Sequence, residues 1–188
     1  MHRLVKKVKL LEKAWNEGDR ETVLSLYTED VVLTCNGRTA ALGKEGIAEL
    51  LEMDVAAHCE IRFKKCLPVD GDTLACTLVE MNDFYRCMGL EEFRKIDIVR
   101  FRDGLICEET EACDVEQWQT MRRWMRSLFD SVHEWALRER PEIVPEIWPG
   151  GELLRTKETV TKLLALCCEW KGSLCSHETA GDLSREEG

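Results

Sequence analysis

No apolar run in this 188-residue sequence comes near the roughly 18 residues that a membrane-spanning helix needs. No secretory leader is visible either. Both absences point to a cytoplasmic location with reduced thiols, so the ten cysteines are not read as a disulfide framework. There is no CxxC pair and no cysteine–histidine grouping at zinc spacing. Cys59, Cys76 and Cys107 sit in strand-like segments, where a thiol behaves as a small hydrophobe. Only Cys167-Cys168, Cys175 and His177 gather loosely near the C-terminus. No metal and no cofactor is expected.

Clustered cations are missing as well. Lys and Arg number 26 against 36 Asp and Glu, a formal net charge of −10, which excludes nucleic acid and anionic membranes as main partners. Arg3, Lys6, Lys7 and Lys9 are interleaved with Leu4, Val5, Val8, Leu10 and Leu11, as on the wet side of an amphipathic helix. Proline is scarce: three of the four fall in PEIVPEIWPGG (141–151), where they break the chain.

What is present is a soluble globular composition, 44% hydrophobic and 33% charged, long enough for one domain with extensions. Leu4, Val8, Leu11 and Trp15 keep helical spacing over 3–17, and Gly18 closes that helix. Asp19 is placed to cap a second short helix, 20–27. VVLTC (31–35) reads as a strand ending at Asn36-Gly37, and GKEGIAELLEMD (43–54) as a helix with Ile47, Leu50 and Leu51 inward. From His58 to Cys113 the pattern changes to four antiparallel strands, the third and fourth hinged at Asp103-Gly104. Helices followed by strands give an α+β class.

The dipeptide Asp103-Gly104 favours a two-residue hairpin turn. A regular ladder from that turn places Phe101 opposite Ile106, Val99 opposite Glu108, Asp97 opposite Thr110 and Lys95 opposite Ala112 on one face. The other face carries Arg94, Arg100 and Arg102 against Cys107, Glu109 and Glu111, a lattice of opposite charges suited to solvent. Asp97 and Glu108 are therefore expected to point inward beside Phe93, Val99 and Phe101. A carboxylate among aromatics must be paired, hydrogen-bonded or neutral. Either Asp97 is a desolvated acid/base, or Lys95 pairs with it and Thr110 gives it a hydrogen bond.

The run LEKAWNEGDRETVLSLYTEDVVLTCNG, followed by GKEGIAELL and IDIVRFRDGLI, resembles the SnoaL-like branch of the nuclear transport factor 2-like superfamily over roughly residues 3–115. That resemblance implies a bent sheet wrapped around a long helix, forming a cone with one deep, mostly apolar pocket. In the ketosteroid isomerase pattern, Asp97 matches the protonated hairpin aspartate, while the base position falls at Cys35 and the oxyanion tyrosine at about Leu11. One of three groups survives, which argues against steroid isomerisation. The resemblance to SnoaL-like cyclases implies an inward carboxylate as general acid/base, with Asp97 and Glu108 the candidates. Trp15, Tyr27, Cys35, Met53, Phe93, Val99, Phe101 and Thr110 are expected along the pocket, and Met81 and Phe84 near it. His58 sits toward its mouth, and the faces of Glu80 and Asn82 stay open. Cys35 has no histidine placed to make it a nucleophile.

Past residue 115 a helical extension is expected over 116–172. Trp118, Met121, Trp124 or Met125, Leu128, Val132, Trp135 and Leu137 keep one stripe, and 153–170 forms another helix ending at Lys171-Gly172. KETVTKLLAL (157–166) echoes KEGIAELLEM (44–53), so the extension could be a strandless partial repeat. Its stripe must be buried on the sheet, over the cone or in a dimer seam. The polar tail 173–188 is expected to be disordered. The expected activity is that of an isomerase, cyclase or dehydratase on a small apolar carbonyl compound, in a homodimer. The alternative is a non-catalytic ligand-binding or interaction domain of the same fold.

Overall fold

The computed structural model describes residues 3–182, with side chains through Ser173. Helix α1 (Arg3–Glu17) buries Leu4, Val8, Leu11, Ala14 and Trp15, the apolar stripe of the sequence. Gly18, at φ 66°, ends it in a conformation that suits glycine. Asp19 accepts a 3.1 Å hydrogen bond from the Thr22 amide and so caps α2 (Arg20–Ser25). Strand β1 (Tyr27–Cys35) starts earlier than the apolar run VVLTC, because Tyr27 is already paired with Ile106. Asn36 and Gly37, both at positive φ, turn the chain into β2 (Arg38–Leu42). The sequence reading did not include β2, whose burial pattern is mostly exposed.

Helix α3 (Gly43–Ala56) leads to β3 (Glu60–Pro68) and β4 (Thr73–Met81). Strand β4 stops at Met81. There the Asn82 side chain accepts from the Tyr85 amide at 2.9 Å and starts the short helix α4 (Asp83–Cys87). Strands β5 (Phe93–Arg102) and β6 (Leu105–Ala112) complete a six-stranded sheet of order β2-β1-β6-β5-β4-β3. Its neighbours are antiparallel except β1 and β6, which run parallel. The Asp103-Gly104 hairpin is thus held between β1 and β4, with α1 and α3 packed on the sheet.

The register of this hairpin corrects the sequence reading. Arg102–Leu105 and Phe101–Ile106 pair as the turn requires. A bulge then takes up Cys107, so that Arg100 meets Glu108, Val99 meets Glu109 and Asp97 meets Glu111. One extra residue exchanges every later side chain of β6 between the faces. Glu108 goes outward, where its carboxylate lies 2.8 Å from Arg100, and Glu109 and Glu111 turn inward. The charges favour this arrangement: the regular ladder would have set Arg100 against a thiol and the inward Lys95 against alanine.

A second core joins the C-terminal helices to the cone. Asp114 caps α5 (Val115–Glu139), accepting from the Glu116 and Gln117 amides. Then come α6 (Val144–Ile147), a 3₁₀ turn (Pro149–Gly151) and α7 (Lys157–Asp182). Leu128, Val132 and Ala136 of α5 meet Ile147, Trp148, Leu163, Leu166 and Cys167, with Phe84 of α4 among them. Phe84 and Phe129 meet edge to face at 5.4 Å, a contact type worth about 1 kcal/mol beyond its buried area. Trp124 and Leu137 of the expected stripe are exposed. Helix α7 packs on α3 and α5 and continues past Lys171-Gly172 to Asp182, so residues 173–182 are helical where a disordered tail was expected. An interior glycine weakens a helix by only about 1 kcal/mol, and no proline follows it. Residues 183–188 of that tail, and the side chains of Cys175 and His177, lie outside the described residues.

Candidate active site

The concave side of the sheet, α1 and α3 enclose a chamber of about 340 Å³, a size that suits a small organic ligand. Leu11, Trp15, Leu33, Ile61, Phe63 and Leu78 form its apolar walls, and Trp118 and Met121 of α5 border it from the extension. The other walls are densely polar. Asp97, Glu109 and Glu111 come from the hairpin, Glu80 and Lys95 from β4 and β5, Asp54 from α3, and Tyr27 and Tyr85 from β1 and α4. Strand alternation explains the set: positions 95, 97, 99 and 101 share one face, and the bulge adds 109 and 111 to it.

Asp97 is 1% exposed, and its Oδ1 has no hydrogen-bond partner among the described residues. Burial, then repulsion from Glu109 and Glu111, holds its carboxyl well above the ordinary range, and Lys95 offsets this only in part. Glu109 is also buried, and accepts a 2.9 Å hydrogen bond from the Tyr27 hydroxyl. Burial raises its pKa to about 8 against the lowering effect of that bond, with Glu111 adding to the rise. Burial and mutual repulsion thus favour the protonated form of both groups.

Lys95, 9% exposed, is ion-paired to Glu80 and to Glu111, the latter at 2.9 Å. Burial alone would discharge the ammonium, but attraction to Glu80 and Glu111 outweighs it and holds the pKa well above its ordinary value. The alternative reading of Asp97, paired to Lys95 and bonded by Thr110, is not what the chamber contains: Lys95 is taken by two glutamates, and Thr110 lies opposite Ile98 with Thr34 Oγ1 at 3.3 Å. Across the chamber, Asp54 accepts from the Trp15 indole N–H at 3.0 Å. Burial, then Glu80, pushes Asp54 up to about 7 against the pull of Lys95 and Trp15.

Of the residues expected at the site, Asp97, Trp15, Tyr27 and Cys35 line the chamber. Burial chiefly pushes the Cys35 thiol up to about 11, which leaves little thiolate for nucleophilic work. Val99 and Phe101 belong to the packed core. Phe93 stacks against Tyr85 at 5.7 Å outside the chamber, and Met53 borders a smaller cavity against α7. Glu108 is on the outer face, ion-paired to Arg100. His58 is at the surface with Nδ1 2.6 Å from Asp83. Among the described residues no group of His, Cys, Asp and Glu is arranged to hold a metal ion.

Asp54, Glu109, Glu111 and Tyr85 were missed as site residues, and Glu80, whose face the sequence left open, lines the chamber. Two signals were available. Asp54 continues the inward helical series Ile47, Leu50, Leu51, and the inward Lys95 had no carboxylate opposite it in a regular ladder. Chemically, the arrangement sets two buried acids biased toward their neutral form, one with an unpartnered oxygen, across the chamber from a carboxyl pushed up to about 7. Such a wall can donate a hydrogen bond to a carbonyl oxygen and accept a proton from a neighbouring carbon.

A family model described as a SnoaL-like domain matches residues 8–109. No curated protein matches the chain. Among solved structures, that of RV0760c from Mycobacterium tuberculosis in complex with estradiol-17beta-hemisuccinate is similar, with TM-score 0.52 and 19% identity over 62% of this chain and 98% of that one. The Delta 5-3-ketosteroid isomerase from Mycobacterium sp. gives 0.51 and 18%, over 62% and 97%. A computationally designed 17-OHP binder gives 0.51 and 21%, over 62% and 95%. At these identities the likeness is one of fold, and the fold hosts both enzymes and binders.

Proposed function

The chain belongs to the SnoaL-like domain family, and from that premise we propose that it acts on a small, apolar, carbonyl-bearing compound held in the chamber. Proton transfer by its own carboxyl groups is the chemistry, in the manner of an isomerase, cyclase or dehydratase. The observation that carries this reading is the buried, unpartnered Asp97 oxygen on the wall of an open chamber. A neutral Asp97 donates to the substrate carbonyl oxygen as negative charge develops there. Glu109, held by Tyr27, keeps a second proton beside it. Asp54, poised near 7, is ionised in a useful fraction of molecules and takes the proton from the carbon next to the carbonyl. Two acids and a base are thereby separated by environment rather than by residue type.

Deuterium incorporation next to the carbonyl of β-tetralone in D₂O tests the proton transfer without the natural substrate. The wild type should exceed buffer, and Asp97→Asn and Asp54→Asn should each lose about 100-fold or more of that excess. A wild type no faster than buffer would sink the enzymatic reading and leave the ligand-binding one, in which the chamber holds a molecule without transforming it.

A further inference from the structure

A wider cavity of about 620 Å³ adjoins the chamber, and Cys35, Tyr85, Trp118, Met121 and Arg155 border both. It lies between the β1–β2 hairpin, α5 and the segment leading into α7. Its charge is the reverse of the protein's. Arg38, Arg122, Arg126 and Arg155 line it with His133, and Asp130 is the single carboxylate on its wall among the described residues. The chamber beyond has five carboxyl groups against Lys95 and the shared Arg155.

The four arginines differ from those on the outer sheet. Arg62, Arg94, Arg100 and Arg102 are each ion-paired to a carboxylate. None of Arg38, Arg122, Arg126 and Arg155 forms an ion pair among the described residues. In a chain of net charge −10, cations left without carboxylates around a concave surface create a local positive potential, which draws in anions. Arg122 and Arg126 are one helical turn apart on α5, so their side chains project together. Arg155 stands where the two cavities meet. The indole of Trp118 borders the same passage and gives an apolar body a surface to lie on.

We propose that the ligand of this protein is an amphiphilic organic anion, whose carboxylate, sulfonate or phosphate stays among these arginines while its uncharged, carbonyl-bearing part enters the chamber. The two cavities then fix the orientation of the ligand. An anion cannot enter a carboxyl-rich chamber cheaply, and an uncharged end gains nothing from the arginines. This rests on the reading that the chamber is the ligand site, and adds to it the charge and the polarity of the molecule bound.

Two fluorescent probes of nearly the same shape separate the two ideas: anilinonaphthalene sulfonate, and N-phenylnaphthylamine, which lacks the sulfonate. The wild type should bind the sulfonate about tenfold tighter or better, with one probe per chain, and the advantage should shrink between about 20 mM and about 300 mM salt. Arg122→Ser with Arg155→Ser should lose about tenfold in affinity for the sulfonate and less than about twofold for the neutral probe. Arg138→Ser, an exposed change on α5 outside the cavity, should alter neither. Equal affinities, or equal losses for both probes, would overturn the anion proposal and leave the chamber as ligand site. Failure of both probes to bind the wild type would overturn the two together. The salt series needs no variant, so it decides the matter even if a substitution disturbs folding.

Discussion

The two faces of the β5–β6 hairpin carry similar charges and use them differently. On the outer face Arg100 meets Glu108 at 2.8 Å with more than 40% of each side chain exposed, and Arg102 pairs with Asp30. Water screens such pairs to about 0–1 kcal/mol. On the inner face Lys95 is closed between Glu80 and Glu111, and Asp97 and Glu109 are buried without cations of their own. There the same residue types become interdependent: removing one leaves another charged in a poor solvent, or forces it to take up a proton. The difference between a solvated lattice and a set of poised acids is one strand face. The bulge at Cys107 decides which glutamates lie on which.

The comparison breaks most visibly at Lys95. Lys95→Met leaves Glu80 and Glu111 facing each other without a cation and should lower the unfolding free energy by about 3–5 kcal/mol in urea denaturation at neutral pH. Part of that loss should return on acidification, as a proton replaces the ammonium. A loss below about 1 kcal/mol would mean that the inner trio is no more coupled than the outer pairs.

A smaller effect should appear in the pH dependence of stability. Asp97 and Glu109 have folded pKa values above their ordinary 3.8 and 4.5, Glu109 reaching about 8. In that window the folded chain binds more protons than the unfolded one, so stability falls as pH rises from about 4 toward 8. Asp97→Asn removes the ionisation and keeps the shape. It should be about as stable as wild type near pH 4 and clearly more stable near pH 8.5, measured by thermal or urea unfolding. A variant less stable than wild type at both pH values would show that the Asp97 carboxylate is satisfied in the folded state. The smallest change should come from outside. Arg100→Ala should shift the same urea midpoint by no more than about 0.5 kcal/mol, with no pH dependence between 5 and 8.

Much of the fold was legible because its signals are local. Gly18 and Asp19, Asn36-Gly37, Asp103-Gly104 and the apolar spacing of α1 each dictate one boundary, and each boundary lies where those residues put it. The inward position of Asp97 followed from alternation alone. Glu109 and Glu111 escaped because a bulge has no composition of its own: Cys107 fits either face, and the two registers differ only in which charges meet. Only the pairing needs of Arg100 and Lys95 distinguish them, and those are relations across strands. Asp54 escaped for a similar reason, a polar residue on an apolar helical stripe. The seat of α5 could not be read from its own sequence either. Its stripe announces burial, and the surface that buries it is made by α4, α6 and α7 together.

The central claim is that the chamber holds neutral carboxylic acids at physiological pH. Carboxyl-carbon NMR titration tests it most directly, with Asp97→Asn and Glu109→Gln used to assign the resonances. The account predicts that Asp97 titrates well above the ordinary aspartate range and Glu109 near 8, the two curves shifting when either neighbour is replaced. Ordinary midpoints of about 4 for both groups would contradict it. The inner face would then be a second solvated lattice, and proton transfer by Asp97 would have no physical basis.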